Sequence, residues 1–573
     1  MQAAYLRLLA LIERAGPWSF YSLIAAVALA LYAVPAVLSN ESSYLILSRA
    51  LLDPTFLAAD WETSVRLAGR GTSAIFDYAI APLWGLSNDP AIVALSARMI
   101  LVAATIAALL YLVRRLELPL LPAAAGIILW LLWGQSMAAN EWIFGGAEKK
   151  VVAYILGFVA YGLLLRNRPL VAGVCGGAAA AAHLLVGGWI CIALAGALLF
   201  TERRIWPQLL IFCAAVLLVA APFLISSALF ALGGSTVDAQ FAGRSSAELI
   251  TLWRNPHHAN ALEFLHEKNL VAILGFFLLS FTCAWISLAA RARVFTLSSL
   301  ACLTLLWLSA LIASYAEVSF VLYLFPARVG DVMIPFIFLL CAPQAVLLSI
   351  KEIMLQGWSF VPTITLVAIT CLSLFVVKHA QYHAIPTVQY NLQTWQHYLS
   401  DQSPPFAGAA NWLQENTERQ DVVIAPVRTE WLKLHAQRPM VISMKGSPGN
   451  TAIHEWFCRL YVLNGQRAFS QLGYGMLAEV DAYIEGAPRN TLLENAAQLN
   501  ARYYLSSVDR EDMAELAAYS DKHYTIYDLH RASASAVLES DAGVDYGIEP
   551  QHSACLTQLA QPYAAIQGDA NVH

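Results

Sequence analysis

Residues 169–200 read PLVAGVCGGAAAAAHLLVGGWICIALAGALLF, and this stretch decides the class of fold. A membrane helix needs about 20 apolar residues, so the stretch is too long for one helix and short for two. Basic residues flank it on both sides: Arg166, Arg168, Arg203 and Arg204. Because Lys and Arg concentrate on the cytoplasmic side of a membrane, both flanks are expected there. The sequence therefore predicts a hairpin of two short membrane helices with His183 near its outer tip.

The composition of the whole chain also indicates a membrane protein. Hydrophobic residues make up 58% of the 573 residues and charged residues 13%, whereas soluble domains carry about 25% charged residues. The formal net charge of −5 gives no reason to expect nucleic acid as a partner. The first apolar stretch, residues 18–38, lacks a small-residue cleavage site and is interpreted as a retained first helix.

Applied along the chain, the same length criterion predicts roughly eleven transmembrane helices. Basic residues at their ends agree with an odd number of crossings, a cytoplasmic N-terminus and a C-terminus on the opposite, periplasmic or extracytoplasmic side of an inner (plasma) membrane. The predicted spans are residues 18–38, 90–113, 117–136, 151–166, 169–183, 186–201, 207–231, 269–290, 295–315, 331–350 and 358–378.

This topology divides the chain into a transmembrane domain, residues 1–380, and a soluble domain, residues 381–573. From Pro404 onward, short β-branched runs alternate with amphipathic helices, which predicts a small α/β domain with a partly parallel sheet. The predicted fold class is thus an α-helical polytopic membrane protein with a C-terminal α/β extracytoplasmic domain. The transmembrane domain carries four substantial segments on its outer face: 39–89, 137–150, 232–268 and 316–330.

Two features of the soluble domain lead to further expectations. His454, Glu455 and Arg459 share one predicted helix, where a solvated face is the favoured interpretation over a binding role. Of the nine cysteines, Cys458 and Cys555 alone fall in this domain, and they are candidates for one disulfide if it faces an oxidising compartment.

Most polar residues before residue 380 lie in the four outer segments. A pump or channel tends to hold its ionisable groups near mid-membrane along a pathway. Here they gather at the outer ends of helices, which favours chemistry or binding at the outer interface.

The first outer segment opens with Asn40 and Glu41 in the run NESSYL and continues with a stretch whose leucines can share one face of an interfacial helix. A carboxylate directly after a transmembrane helix, a long first outer loop, many spans and a C-terminal extracytoplasmic domain together resemble the GT-C superfamily of polyprenyl-phosphate-sugar glycosyltransferases. That group includes protein mannosyltransferases and the lipid A aminoarabinose transferase. The resemblance covers residues 18–378 in layout and the NESSYL run in motif.

The resemblance implies a catalytic role for Glu41, because an Asp or Glu at this loop position is the catalytic base of the superfamily. The commoner pattern has an Asp where this chain has Asn40. No cofactor is predicted, and a divalent cation stays an open option. The simpler interpretation of Glu41 is a solvated helix terminus that anchors the loop.

The second and fourth outer segments supply candidate ligands for a lipid phosphate. Glu148, Lys149 and Lys150 stand at the start of an apolar helix, where a helix N-terminus favours anions; an interfacial snorkelling pair of lysines is equally consistent. Arg328 precedes the tenth span, and an arginine grips phosphate through its planar fork. The alternative for Arg328 is an ion pair with Asp331 or Glu317.

Three histidines complete the set of candidates. His183 is an ionisable group among apolar residues, and such a group inside a membrane is a functional candidate. A lone histidine of this kind is more often a packing residue. His257 and His258 are adjacent and lack the spacing of a known zinc motif, so they are interpreted as substrate contacts rather than metal ligands.

The leading functional hypothesis is a membrane glycosyltransferase that moves a sugar from a polyprenyl-phosphate carrier to an acceptor glycan, lipid or protein at the outer face. The acceptor hydroxyl must lose a proton to a base, and the leaving lipid phosphate needs fixed cations. Two alternatives stay open: a transporter or flippase of an anionic lipid or polysaccharide, and a glycan polymerase or ligase.

Overall fold

The computed structural model describes most of the chain in ten ranges. These are residues 16–38, 40–68, 74–139, 141–201, 205–233, 241–267, 270–356, 360–400, 403–449 and 452–531. Cys555 lies outside the described residues.

A helix occupies each of the eleven predicted spans. Five of the described helices are long and apolar enough to cross a membrane, and four shorter ones are apolar, so the chain is a multi-pass membrane protein whose exact number of crossings stays a prediction. The eleven helices are Pro17–Tyr32, Pro90–Arg115, Leu120–Trp133, Lys149–Leu165, Pro169–Ala182, Leu184–Thr201, Ile205–Gly233, Leu270–Ser287, Ala290–Tyr315, Ala327–Gln356 and Phe360–Leu399.

The first helix is shorter than predicted. It ends at Tyr32 rather than at residue 38, because Pro35 cannot continue a helix. The unwound backbone turns its carbonyls toward Arg98, whose guanidinium donates to the oxygens of Tyr32, Val34 and Ala36 at 2.8, 3.0 and 2.7 Å. The end of this span is therefore a binding surface for one buried arginine.

The predicted helical hairpin is confirmed. Helices Pro169–Ala182 and Leu184–Thr201 are separated by His183 alone and run antiparallel in close contact. A Cβ on Gly187 would lie 2.3 Å from backbone atoms of Ala179, so only glycine permits this approach, as small residues do between membrane helices.

The two ends of the helical body make different contacts. At one end Arg291 donates to Asn167, and Arg115 packs beside Gly162, so basic clusters that were predicted to share a side do lie together. At the other end the predicted outer segments contact the C-terminal domain: Ser43 Oγ donates to Lys445 O at 3.0 Å and Tyr323 Oη to Gly449 O at 2.5 Å. We call this second end the outer end.

The outer segments are themselves largely helical. The helix Glu41–Leu52 forms as predicted, but its Ser48 is buried and accepts a hydrogen bond from Trp84 Nε1 at 3.0 Å, while Leu52 is exposed. The helix is therefore packed on more than its leucine face. The other described elements of these segments are Trp61–Ala68, Ala74–Ile80, Ala81–Gly85, Phe241–Gly243, Ser246–Glu248, Leu249–Arg254, Pro256–Ala259, Ala261–Glu267 and Ser319–Tyr323.

The C-terminal domain contains four strands: β1 Val423–Ile424, β2 Tyr503–Ser506, β3 Ala517–Ser520 and β4 Thr525–Asp528. They form one sheet of order β1-β2-β4-β3, in which β1 pairs with β2 in parallel and β4 pairs antiparallel with both β2 and β3. The prediction of a partly parallel sheet is therefore confirmed. The run around Met440 forms only an isolated bridge to Val423. The helices of the domain are Ala407–Asn416, Leu432–Ala436, Ile453–Leu463, Tyr474–Gly486, Arg489–Gln498 and Glu511–Leu516.

The domain shares a hydrophobic core with the outer segments. Phe241 of the third segment stacks on Phe457 with ring centroids 5.7 Å apart. His454, predicted on a solvated face, is instead buried: its Nδ1 accepts the Phe241 N–H at 3.0 Å and its Nε2 lies 3.0 Å from Ser246 Oγ. Cys458 on the same helix is buried and disulfide-bonded.

Candidate functional site at the outer end

Glu141 lies at the centre of a group of charged side chains. It is fully buried; its Oε1 lies 2.7 Å from Lys150 Nζ, and its Oε2 accepts a hydrogen bond from Arg328 Nε. Glu148 lies 3.3 Å from the same Lys150 Nζ. Burial raises the pKa of Glu141, but Arg328 and Lys150 outweigh burial and hold that pKa well below its usual value. We call Glu141, Glu148, Lys149, Lys150 and Arg328 the outer-end cluster.

Arg328 stands at the start of the helix Ala327–Gln356, and Asp331, one turn later, anchors that start to residues 136–139. The buried Asp331 carboxylate accepts the Ser136 hydroxyl and the backbone N–H groups of Ala138 and Ala139, the latter two at 2.8 and 2.9 Å. Arg328 does form an ion pair, but its partner is Glu141 and not Asp331 or Glu317, the partners named in the alternative interpretation. Within the described residues, Nε is the one guanidinium nitrogen of Arg328 that donates a hydrogen bond. The side chain is 19% exposed. Its two terminal nitrogens are therefore available to a ligand.

The two adjacent lysines have different surroundings. Lys150 is buried between two carboxylates and lies over the Trp142 ring, 3.8 Å from its centroid, so its charge is already neutralised. Lys149 is partly buried and makes no hydrogen bond or ion pair within the described part of the chain. Of the predicted pair, Lys149 is thus the one with donors to offer.

His183 joins this group across the tip of the hairpin. The ring lies within electrostatic range of Lys149 and Arg328. Its Nδ1 accepts the Val186 N–H at 3.3 Å. The single ring proton then belongs on Nε2, which makes that nitrogen a hydrogen-bond donor.

His257 and His258 occupy different environments although they are adjacent. His258 Nδ1 lies 2.8 Å from Ala139 O, and burial, then His257 and Arg328, hold its pKa well below the usual value. A neutral His258 that donates from Nδ1 leaves Nε2 as an acceptor, the wrong polarity for a phosphate. His257 points to the C-terminal domain, with its ring centroid 4.6 Å from that of Tyr474.

Glu41 is fully buried in an ion pair with Arg98. Arg98 donates to both carboxylate oxygens, at 2.9 and 2.7 Å, and the N–H groups of Leu38 and Ala147 add one bond to each, at 2.7 and 2.6 Å. A carboxylate has about four lone-pair sites, so all are in use. Since Ala147 directly precedes Glu148, Glu41 fixes the backbone that presents the outer-end cluster.

A second buried ionic group joins the first outer segment to the C-terminal domain. Lys433 Nζ lies 2.9 Å from Asp60 and also contacts Glu62. Ser443 donates to Glu62 through its N–H at 2.9 Å and its hydroxyl at 2.6 Å. We call Asp60, Glu62, Lys433 and Ser443 the interdomain clamp. Burial lowers the pKa of Lys433, but Asp60 and Glu62 outweigh it and the net direction is upward.

Two residues that organise the site, Arg98 and Glu141, are absent from the candidates predicted from sequence. Arg98 stands alone in an apolar span, and a charge buried there requires a partner, which was a usable signal for the Glu41 pair. Glu141 was one acidic residue in a loop, with nothing to connect it to an arginine far along the chain. Within the described ranges, no group of three or more His, Cys, Asp or Glu side chains is placed to hold a metal ion.

Comparisons with known proteins give a match to one family model and similarity to solved structures. Residues 405–463 match a domain of unknown function, DUF6798, and this region includes Lys433 and Ser443 of the clamp. A search of curated proteins finds no match.

Two solved structures are similar to the chain over most of its length. The crystal structure of ArnT from Cupriavidus metallidurans bound to undecaprenyl phosphate covers 89% of this chain and 97% of its own, with 12% identity and a TM-score of 0.41. That of the Archaeoglobus fulgidus oligosaccharyltransferase in complex with zinc and sulfate covers 85% and 68%, with 12% identity and a TM-score of 0.41. Similarity of this degree does not assign a function, so the function is argued from the residues of this chain.

Proposed function

We propose that this chain is a membrane glycosyltransferase that takes a sugar from a polyprenyl-phosphate carrier at the outer end of its helical body. The observation that carries the proposal is a group of donors without a hydrogen-bond partner among the described residues: the terminal nitrogens of Arg328 and the ammonium of Lys149, each at the start of a helix, and Nε2 of His183 at the tip of the hairpin. They lie where an apolar helical body meets polar outer segments. A lipid with one anionic head group matches this location, because its apolar chain would lie along the helical body and its anion would accept from the donors.

The charges of the outer-end cluster fit a phosphate. Lys149, Lys150 and Arg328 contribute three positive charges against two negative charges from Glu141 and Glu148, so the cluster has a net charge of +1. Fixed donors of this kind stabilise negative charge that grows on a leaving group. In the proposed reaction the acceptor oxygen bonds to the anomeric carbon, the bond from that carbon to the phosphate oxygen breaks, and the lipid phosphate leaves with the electron pair.

Glu41 stays the candidate base of this proposal. Accepting the acceptor's proton would require one carboxylate oxygen to give up Arg98 or a backbone N–H, since both oxygens are fully engaged. The competing role is a positioning one, in which Glu41 holds Ala147 and so the lysines that follow. Glu41→Gln separates the two roles: loss of a base costs about a hundredfold to ten-thousandfold in rate with donor binding intact, whereas a positioning residue affects donor binding as well.

The test of the function is a transfer assay on the purified full-length protein in liposomes that contain lipid-linked sugars extracted from the native membrane. Mass spectrometry follows free polyprenyl phosphate, which appears only if the sugar–phosphate bond breaks. We expect its release from the wild-type protein and strongly reduced release with the double variant Lys149→Met, Arg328→Met. Movement of intact lipid-linked sugar across the bilayer without release of polyprenyl phosphate would favour the transporter instead.

A further inference from the structure

The part of the second outer segment that carries Glu141 has no helix or strand among its described residues. Buried backbone N–H groups there cannot pair within a helix or a sheet, so they need other partners. Side chains supply those partners at three places, which are Asp331 at residues 138 and 139, Gln135 at residues 143 and 144, and Glu41 at residue 147.

Gln135 is buried and makes four hydrogen bonds through its side chain. Its Oε1 accepts the N–H groups of Ile143 and Phe144 at 2.9 and 2.8 Å. Its Nε2 donates to Phe144 O at 2.6 Å and to Tyr32 Oη at 2.9 Å. An amide side chain has two donors and an acceptor oxygen with two lone pairs, so its full capacity holds the second outer segment and the end of the first helix together.

The backbone of Gln135 has a left-handed conformation, with a φ angle of 71°. This conformation is uncommon for residues other than glycine; it persists where the surrounding structure holds it, and it is frequent at functional sites. Trp130 holds it here, because Trp130 O accepts the Gln135 N–H at 3.1 Å and Trp130 Nε1 donates to Gln135 O at 2.8 Å. Backbone and side chain of Gln135 are therefore both fixed by buried neighbours.

Glu141 lies between two of the three anchors. Asp331 fixes the segment up to two residues before Glu141, and Gln135 fixes it from two residues after. Asp331 belongs to the same helix as Arg328, so the first anchor ties the segment to the arginine's own helix, and Gln135 is the anchor on the other flank. A shift of Glu141 would move the carboxylate that accepts from Arg328 Nε, and with it the plane of the guanidinium.

We propose that Gln135 is a positioning residue of the phosphate site. It fixes the backbone that follows Glu141, Glu141 orients the guanidinium of Arg328, and the terminal nitrogens of Arg328 bind the lipid phosphate. The inference rests on the proposed function, which supplies the phosphate. Gln135 itself needs no contact with the ligand, because all four of its side-chain hydrogen bonds are made to the protein.

The experiment is a double-mutant cycle on the full-length protein, with binding of undecaprenyl phosphate as the readout. Gln135→Met keeps the length of the side chain and removes the four hydrogen bonds; we expect it to weaken binding about tenfold, as loss of an outer-shell partner does at metal sites. In an Arg328→Met background, where Lys149 and the lipid chain still support weaker binding, the same substitution should have little further effect. An equal loss in both backgrounds, or no loss in the first, overturns the proposal.

Asn391→Leu is the matched control for the loss of a buried amide. Asn391 is buried, and its Nδ2 donates to Ala30 O and Leu31 O at 3.0 and 2.8 Å. We expect this variant to bind undecaprenyl phosphate as the wild-type protein does. A loss of binding equal to that of Gln135→Met would indicate general destabilisation and overturn the positioning role.

Two further measurements keep the test decisive. Gln135→Asn keeps an amide that is too short to retain the four bonds together; it takes the place of Gln135→Met if that variant does not fold, with the same expected loss. Hydrogen exchange at the Ile143 and Phe144 amides should be faster in either variant without any ligand, and unchanged exchange overturns the anchor. Failure of undecaprenyl phosphate to bind the wild-type protein would overturn the proposed function, whereas normal binding by the Gln135 variants would overturn this inference alone.

Discussion

The outer-end cluster and the interdomain clamp are both buried ionic groups, but they differ in how completely their charges are satisfied. In the clamp, Lys433 contacts two carboxylates, and Ser443 and backbone groups take further oxygens. In the outer-end cluster, Arg328 uses one nitrogen out of three and Lys149 uses none among the described residues.

Both ionic groups are buried, so burial does not distinguish them. The number of donors left without a partner does, and it separates a structural ionic group from one that can bind a ligand. One lysine against two carboxylates gives the clamp a net charge of −1, and its geometry is closed. The outer-end cluster has a net charge of +1 and keeps donors for a ligand. A closed ionic group stabilises the contact between a segment and a domain, whereas an open one is available to an anion.

The largest effect is expected from breaking the clamp. Lys433→Met leaves Asp60 and Glu62 buried together without a cation, and removing one partner of a buried ion pair costs about 3–5 kcal/mol. We expect a matching fall in the free energy of unfolding of the purified protein and faster proteolysis between the helical body and the domain. Lys522→Met is the exposed control; a clamp variant as stable as this control would mean that the clamp contributes no net stability.

A substitution in the outer-end cluster should instead weaken ligand binding and leave the free energy of unfolding nearly unchanged. Arg328→Lys keeps a charge near Glu141 but loses the free fork, so binding of undecaprenyl phosphate should weaken by about 1–3 kcal/mol. Unfolding should change little, because Lys150 still pairs with Glu141.

The control for that variant is Arg244→Lys, an arginine of the third outer segment that pairs with Glu248 at the surface. Its donor binding should equal that of the wild-type protein. Equal affinity in Arg328→Lys and the control would return Arg328 to a purely structural ion pair with Glu141.

A smaller loss of stability is expected from a substitution at Gly446, whose lack of a side chain leaves space for the Glu62 carboxylate of the clamp. A Cβ on Gly446 would lie 2.1 Å from Glu62 Oε2, so Gly446→Ala must displace the carboxylate from Lys433 and Ser443. Overpacking of this kind costs about 1–3 kcal/mol. The matched control is Gly449→Ala, where an added Cβ meets nothing within 4 Å, and we expect its thermal midpoint to be unchanged.

The sequence predicted those features that depend on one segment and its flanking charges. The positions of the long helices, the hairpin at His183 and the partly parallel sheet follow from apolar length, basic flanks and local periodicity. The end of the first helix could have been placed at Pro35. The pairing of Glu141 with Arg328 could not, because it joins residues of two distant outer segments and depends on how the helices pack.

The same limit applies to the interface between the outer segments and the domain. His454 and Glu455 have the composition of a solvated helix face, yet both are buried. Phe241 and Ser246 of the third outer segment cover His454. Glu41 is a related case: its resemblance to a family position indicated a base, while its contacts with Arg98 and Ala147 are visible only in three dimensions. Its catalytic role stays a prediction.

The smallest effect concerns the contact of the third outer segment with the domain, and it depends on pH. Burial, then Arg254 and Lys445, lower the pKa of His257 to about 4, against about 6.5 in an unfolded chain. His258 and Tyr474 are the titratable groups whose rings pack against it. Between these two pH values the unfolded chain binds a proton that the folded chain does not, so stability falls as pH decreases from about 6.5 and is unaffected above it.

His257→Phe keeps a ring against Tyr474 but cannot titrate, and we expect a shallower loss of thermal stability toward pH 4 than in the wild-type protein. His530→Phe, at an exposed position, should keep the wild-type slope, and an identical slope in all three proteins would show that His257 does not contribute to acid sensitivity.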